Sequence, residues 1–564
     1  MALNRILILI TLFSFSTQAQ TFTKYWVRLK DKNGSPYSIS NPSAYLSAKS
    51  IQRRTTQNIA VDLTDIPVNQ TYVNQINATG AQVFHRSKWF NAVIVIVLNS
   101  TQLTAINSLT CVLGSAPLAM KKITDYRLQI TDCEAEKNKT GICNTSTKPS
   151  NNQQPETNSN ILNVSYNYGP SLSQVSQIGV DCMHDLGFRG DNMIIGVMDS
   201  GFDQVNVNPV FDSLRNENRI KGTRDFVVGN SSVYEDHSHG ANVLSCISGN
   251  SPGNLIGTAP KAKVWLLRSE DIGSEKIIEE HNWVIAAEFA DSVGIDIATT
   301  SLGYNSFDNP SDNHSYADLD GKTSIMSKAS TMASRKGIFV LNAAGNEGNN
   351  AWNYILCPAD ADSICTVGSV DASGVHSSFS SVGPTADGRI KPDVSTMGGG
   401  TYICAPGYNF FGGNGTSFAT PIMAGAVACL WQAHPTKTNM QLLQAIKATA
   451  SQSVTPDNDY GWGIPNLCAA HNYLTITGLQ ENTLANPVIS LYPNPTEDKI
   501  YFNLETAPES IEIKNILGQP INFEYQKTQN NKYVITFESG TNRGMYSVTV
   551  KTKNNLFNGK FIKQ

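Results

Sequence analysis

Charge is scarce in this chain: only 16% of its 564 residues are charged, and the formal net charge is −4. So weak a field leaves no basic footprint for nucleic acid or an anionic membrane, and the expected partner is a polypeptide, not a nucleic acid. After the first residues no run reaches the roughly 18 apolar residues that a membrane span needs. The 10 cysteines form no CxxC pair and no His/Cys spacing of a zinc site, so no metal ligand is assigned.

What is present starts at the amino terminus. Residues 1–19 place Arg5 before an apolar core, Ile6 to Phe15, and small residues Thr17 and Ala19 before Gln20. That is the layout of a secretory signal peptide, too short to span a bilayer. The mature protein is expected to be soluble and outside the cytoplasm, where disulfides form. Cys133 and Cys143 bracket a polar loop and are one candidate pair, although spacing alone fixes no connectivity. Cys246 and Cys429 lie in apolar helix-like segments and read as buried thiols.

The chain is organised around GTSFATPIMAGAVACLWQAH, Gly415 to His434. Glycines 412, 413 and 415 deliver Ser417 to the start of an apolar, alanine-rich helix, with Pro421 expected in its first turn. Such a serine is presented as a nucleophile, or is simply a helix cap. A serine hydroxyl needs a base, and the base needs a group that orients it. Asp199 ends the apolar strand-like run Met193 to Met198, where an unpaired carboxylate is costly. His239 precedes Gly240 and another small, apolar helix start. Separately, Asp199 reads as a turn residue and His239 as a core histidine; His237, two residues earlier, is the rival base and reads as loop.

MDSGFD, HGANV, SLG, AAGNEG and GTSFATP, in that order, resemble the subtilisin-like serine peptidases over roughly residues 163–475. The order Asp, His, Ser differs from the Ser, acid, His order of α/β-hydrolases. The resemblance implies Ser417 as nucleophile, His239 as general base, Asp199 as its orienting carboxylate and Asn346 as an oxyanion donor. It also implies that Ser301, Leu302 and Gly303 pair with an extended substrate, opposite a pocket at Ala344 and Gly345 with Glu347 at its rim. Where the family has Thr and a second His after His-Gly, this chain has Ala241 and Asn242. The base is expected to survive that change through other polar contacts of Asn242. No cofactor is required for this chemistry; structural calcium fits the family, with no ligand assigned.

The implied fold is an α/β parallel-sheet catalytic domain with helices on both faces, for which strands and helices alternate between Asp199 and Ser417. Residues 20–132 alternate as a small α/β domain and resemble the propeptides of such enzymes, which assist folding and cover the cleft; an accessory domain is the other reading. Arg53 and Arg54 there read as a solvated basic face of a helix. Residues 133–162 are a polar linker where processing is expected, and 476–487 are a second linker. Residues 488–564 show strand alternation with Gly and Asn punctuation, a small β-sandwich. YPNP, Gly544-Met545-Tyr546 and the final NGKFIKQ resemble type IX sorting domains of the Bacteroidetes, implying the type IX machinery as partner and export across an outer membrane; a binding sandwich is the alternative. The function implied is a secreted serine endopeptidase made as a zymogen. A silent binding protein and an esterase are the competing classes.

Overall fold

The computed structural model describes residues 21–122, 166–481, 489–515, 519–528, 531–538, 540–553 and 556–564. The signal peptide and the 133–162 linker, with Cys133 and Cys143, lie outside them. The chain divides into two compact units, Met1–Leu474 and Thr475–Gln564.

The first unit opens with a four-stranded antiparallel sheet of β1 (Thr21–Leu29), β2 (Gln82–Ser87), β3 (Ala92–Val97) and β4 (Val112–Lys122), ordered β2-β3-β1-β4. Helices α1 (Ala48–Thr56), α2 (Gln70–Asn77) and α3 (Ser100–Asn107) each begin at a side-chain cap, Ser47, Asn69 and Asn99. The sequence showed β1, β3 and the helices. Strands β2 and β4 escaped it because Gln, His and Arg fill one, while Gly114 and Pro117 interrupt the other.

Next comes a seven-stranded sheet whose recorded neighbours are all parallel: β5 (Ile194–Asp199), β6 (Ile220–Asp225), β9 (Lys263–Arg268), β10 (Ile297–Thr300), β11 (Phe339–Ala343), β12 (Cys365–Val370) and β13 (Val394–Met397). A small hairpin of β7 (Asn250–Ser251) and β8 (Leu255–Ile256) precedes β9. The order is β13-β12-β11-β10-β5-β9-β6. The chain fills one side of β5 with β6 and β9, then crosses to the other with β10, so the topological switch falls at β5, where open α/β sheets place their sites.

Short helices α4 (Leu172–Ser176), α5 (Val180–Asp185) and α6 (Asp212–Asn216) flank the start of this sheet. Its faces follow strand alternation. Ile195, Val197, Leu266 and Leu341 join one core with α7 (His239–Ser248) and, after the hairpin of β14 (Thr401–Ala405) and β15 (Asn409–Gly413), α10 (Thr416–Ala433). Met198, Leu267, Ala298 and Val340 join the other with α8 (Ile278–Val293) and α9 (Ile325–Arg335). Strands apolar on both faces follow, as parallel sheets require. After α10 come α11 (Asn439–Ala448) and α12 (Leu467–Glu481). Helix α12 runs six residues into the expected 476–487 linker because no proline or early glycine stops it. Cys182 and Cys468 form a disulfide, while Cys246 and Cys429 are buried thiols as read.

Arg53 and Arg54 correct the sequence reading. They are 5% and 1% exposed and point into the seven-stranded domain. Arg53 donates to Asp291 Oδ1 at 2.7 Å, and Arg54 donates to Asp65 at 2.8 Å and Asp291 at 2.7 Å. Lys88 adds a third cation on Asp291 at 2.8 Å. A solvated basic face and a buried anchor share one sequence pattern; only the acid at the end of α8 tells them apart.

The second unit packs two three-stranded antiparallel sheets. One holds β16 (Lys499–Asn503), β18 (Phe523–Lys527) and β19 (Lys532–Phe537); the other holds β17 (Ser510–Asn515), β20 (Gly544–Lys551) and β21 (Leu556–Lys563). Their inward residues, among them Phe502, Ile513, Ile535, Val548 and Phe561, form one core, the expected sandwich.

Candidate active site

Three strand ends and two helix starts meet at the switch point. Asp199 is the last residue of β5 and fully buried. Its Oδ1 accepts from Ser200 N at 2.8 Å and faces His239 Nδ1 at 2.8 Å. His239 is the first residue of α7. That helix can come so close only because its second residue is glycine. A Cβ on Gly240 would lie 2.4 Å from Gly201 O and 2.9 Å from Asp199 Cβ.

Burial by itself would lower the basicity of His239. The charge of Asp199, its hydrogen bond and the more distant Glu270 outweigh that and raise the imidazole above its ordinary 6.5. His237 stays in the loop, with Nδ1 2.9 Å from Ser200 Oγ and its ring 6.4 Å from that of His239. The carboxylate therefore reaches His239 and not its rival. The amide oxygen of Asn242 is buried with no hydrogen-bond partner, while His239 keeps its contact with Asp199.

Ser417 is the second residue of α10, and Gly415, not the serine, stands at the cap. Gly415 has φ +152°, and a Cβ there would lie 3.8 Å from both Asn346 Nδ2 and Ser417 Cβ. Pro421 sits in the second turn, inside the helix, rather than in the first. It therefore offers no N–H to the Ser417 carbonyl four residues back. The Ser301 hydroxyl donates to that carbonyl instead, at 2.8 Å. Ser417 Oγ in turn donates to Ser301 O at 3.1 Å. This pair locks the end of β10 to the start of α10.

Asn346 follows β11. Its Oδ1 accepts from Thr416 N at 2.9 Å and Thr416 Oγ1 at 3.1 Å, so the residue before Ser417 holds the amide in place. Ser301, Leu302, Gly303, Gly345, Asn346, Glu347 and Leu356 line one open cleft of about 320 Å³ with His239 and Ser417. Ala344 is not in that wall. It is fully buried, its N–H on Val367 O and its carbonyl on Leu356 N, and Ala343 takes its place in the lining. Strand alternation decides this, and the motif could not show it. The sequence also missed Glu270 and Ile272, contributed to the cleft by the loop after β9. Among the described residues, none of 21–122 lines the cleft.

Comparison with known proteins agrees with this architecture. Residues 190–463 match the Subtilase family, residues 24–135 the Peptidase S8 propeptide domain of Bacteroidota, and residues 490–564 a secretion system C-terminal sorting domain. Subtilisin NAT of Bacillus subtilis subsp. natto is 32% identical over 315 residues, 54% of this chain and 73% of its own. Subtilisin of Bacillus pumilus is 32% identical over 303 residues, 52% of this chain and 97% of its own, and Subtilisin Savinase of Lederbergia lenta 29% over 300 residues, 52% and 97%. The sorting domain marks the protein for export, secreted or at the cell surface. The chain belongs to the subtilase family and is a serine endopeptidase that carries its own propeptide.

Proposed function

We propose that this enzyme cuts extended polypeptides through an acyl-enzyme formed on Ser417. The observation that carries the reading is the 2.8 Å Asp199–His239 contact beside Ser417 in one cleft. His239 takes the hydroxyl proton and later returns it to the leaving amine, while Asp199 holds the tautomer and offsets the imidazolium charge. The Asn346 amide and the Ser417 N–H meet the oxyanion of the tetrahedral intermediate. Ser417 Oγ rests on Ser301 O in the free enzyme. A substrate strand that adds its own N–H to Ser301 O displaces that bond and turns the hydroxyl toward His239. Backbone pairing along Ser301 to Gly303 accepts many sequences, and side-chain selection falls to the pocket floored by Gly345 and Leu356 with Glu347 at its rim.

The propeptide acts as folding assistant and inhibitor until it is removed, and the type IX machinery exports the chain before its sorting domain is cut away. No cofactor takes part in the chemistry. The test is intact mass and fluorophosphonate labelling of residues 20–475, wild type beside Ser417→Ala, with unfolded casein. The wild type is expected to trim its N-terminal region, take one label and cut casein, and the variant to do none of these. A folded wild type that neither labels nor cuts, even without residues 20–132, refutes the reading in favour of a binding protein.

A further inference from the structure

Beside the cleft, the loop after β9 and the first turn of α8 gather three carboxylates, of which only Glu270 lines the cleft. Oxygens of Glu270, Glu275 and Glu279 all lie within 4.8 Å of one another. Two oxygens bound to one Ca²⁺ at 2.3–2.6 Å are at most about 4.6–5.2 Å apart, so this grouping admits a shared Ca²⁺. Glu279 is the telling member. It is 1% exposed, and neither of its carboxylate oxygens has a hydrogen-bond partner. One turn later Asn282 is also 1% exposed, with its Oδ1 buried and unpartnered because its Nδ2 faces Ser269 O at 3.3 Å. Glu279 and Asn282 share the wall of a cavity of about 40 Å³, room for a water ligand. The nearby ammonium groups are engaged elsewhere: Lys24 with Val227 O at 3.3 Å and Lys276 with Asp308 at 3.9 Å.

Folding three carboxylates together without a cation is expensive, since burial and mutual repulsion both disfavour their charge. We infer that Glu270, Glu275 and Glu279 form a Ca²⁺ site that fixes the loop supplying Glu270 and Ile272 to the cleft wall. All the donors are hard oxygens, and their net charge suits a divalent ion.

The test uses the full chain carrying Ser417→Ala, so that binding is read without turnover and its outcome does not depend on the proposed mechanism. Tb³⁺ excited through Trp283, one turn from Glu279, is expected to emit, to be displaced by Ca²⁺, and to need far more Mg²⁺. Elemental analysis of gel-filtered protein is expected to show one Ca²⁺ fewer per chain in Glu275→Gln/Glu279→Gln, with the calcium-dependent rise in Tm reduced and the Tm in EDTA equal or higher. If the double variant fails to fold, the half-exposed Glu275→Gln alone is expected to weaken calcium binding at least tenfold. Equal calcium content and equal Tm response in parent and folded variant would overturn the site.

Discussion

Asp291 is where the propeptide's hold on the enzyme can be measured. It is fully buried at the end of α8, and three propeptide cations converge on it: Arg53, Arg54 and Lys88, at 2.7, 2.7 and 2.8 Å. Burial alone would raise its pKa, but these cations hold it down at about 2. Set against an ordinary value of 3.8, at 1.36 kcal/mol per pH unit, the preference for the charged form is ~2.5 kcal/mol. Asp291→Asn keeps the shape and one acceptor and removes the charge. In a full-length Ser417→Ala background, separation of the propeptide from the catalytic domain is expected to become roughly 60-fold more frequent at pH 7. Trypsin cleavage within residues 21–122, kept slower than reclosing, reads that open population. The pH sign follows from a depressed pKa: the contribution is complete above 3.8 and lost as pH falls through about 2, and Asp291→Asn is indifferent over that range. An unchanged cleavage rate at pH 7, with the catalytic domain's Tm also unchanged, would refute the claim that this cluster clamps the propeptide.

Asn346→Leu is expected to lower kcat by about 10²–10³ with a smaller change in KM, a magnitude whose source is itself a subtilisin; an unchanged kcat removes Asn346 from the site. His239 must be neutral to act as a base, so its raised pKa puts the acid limb of kcat/KM above pH 6.5. Asp199→Asn removes the charge that favours imidazolium, and the remaining activity is expected to show that limb at lower pH, with a maximum lower by roughly 10⁴. Ser301→Ala deprives the Ser417 carbonyl of the donor that Pro421 cannot supply and is expected to destabilise the domain by about 1–3 kcal/mol in denaturant titration.

Motif order and local pattern were enough to read the alternating strands and helices of the catalytic domain, the C-terminal sandwich and the residue types around Asp199, His239 and Ser417. These are properties of short segments: an apolar run, a glycine that permits close approach, a serine at a helix start. Sequence spacing could not show that Oδ1 of Asp199 meets His239 and not His237, since both histidines lie in one short stretch. Nor could it show that Ala344 turns inward while Ala343 faces the cleft, because a shift of one residue on a strand reverses its side.

The charges show the same division most plainly. Arg53 and Arg54 sit on a helix whose pattern fits solvent as well as burial, and their partner Asp291 lies more than two hundred residues away. Glu270, Glu275 and Glu279 look like an ordinary polar loop running into a helix until β9 and α8 bring their carboxylates together, with Glu279 buried. Most strands and helices, and the residue types they bring to the site, follow from local sequence, because propensity, capping and apolar periodicity act over a few residues. Which charges lose their water, and what they meet there, is settled by the folded chain, because desolvation and Coulomb pairing depend on distance through space.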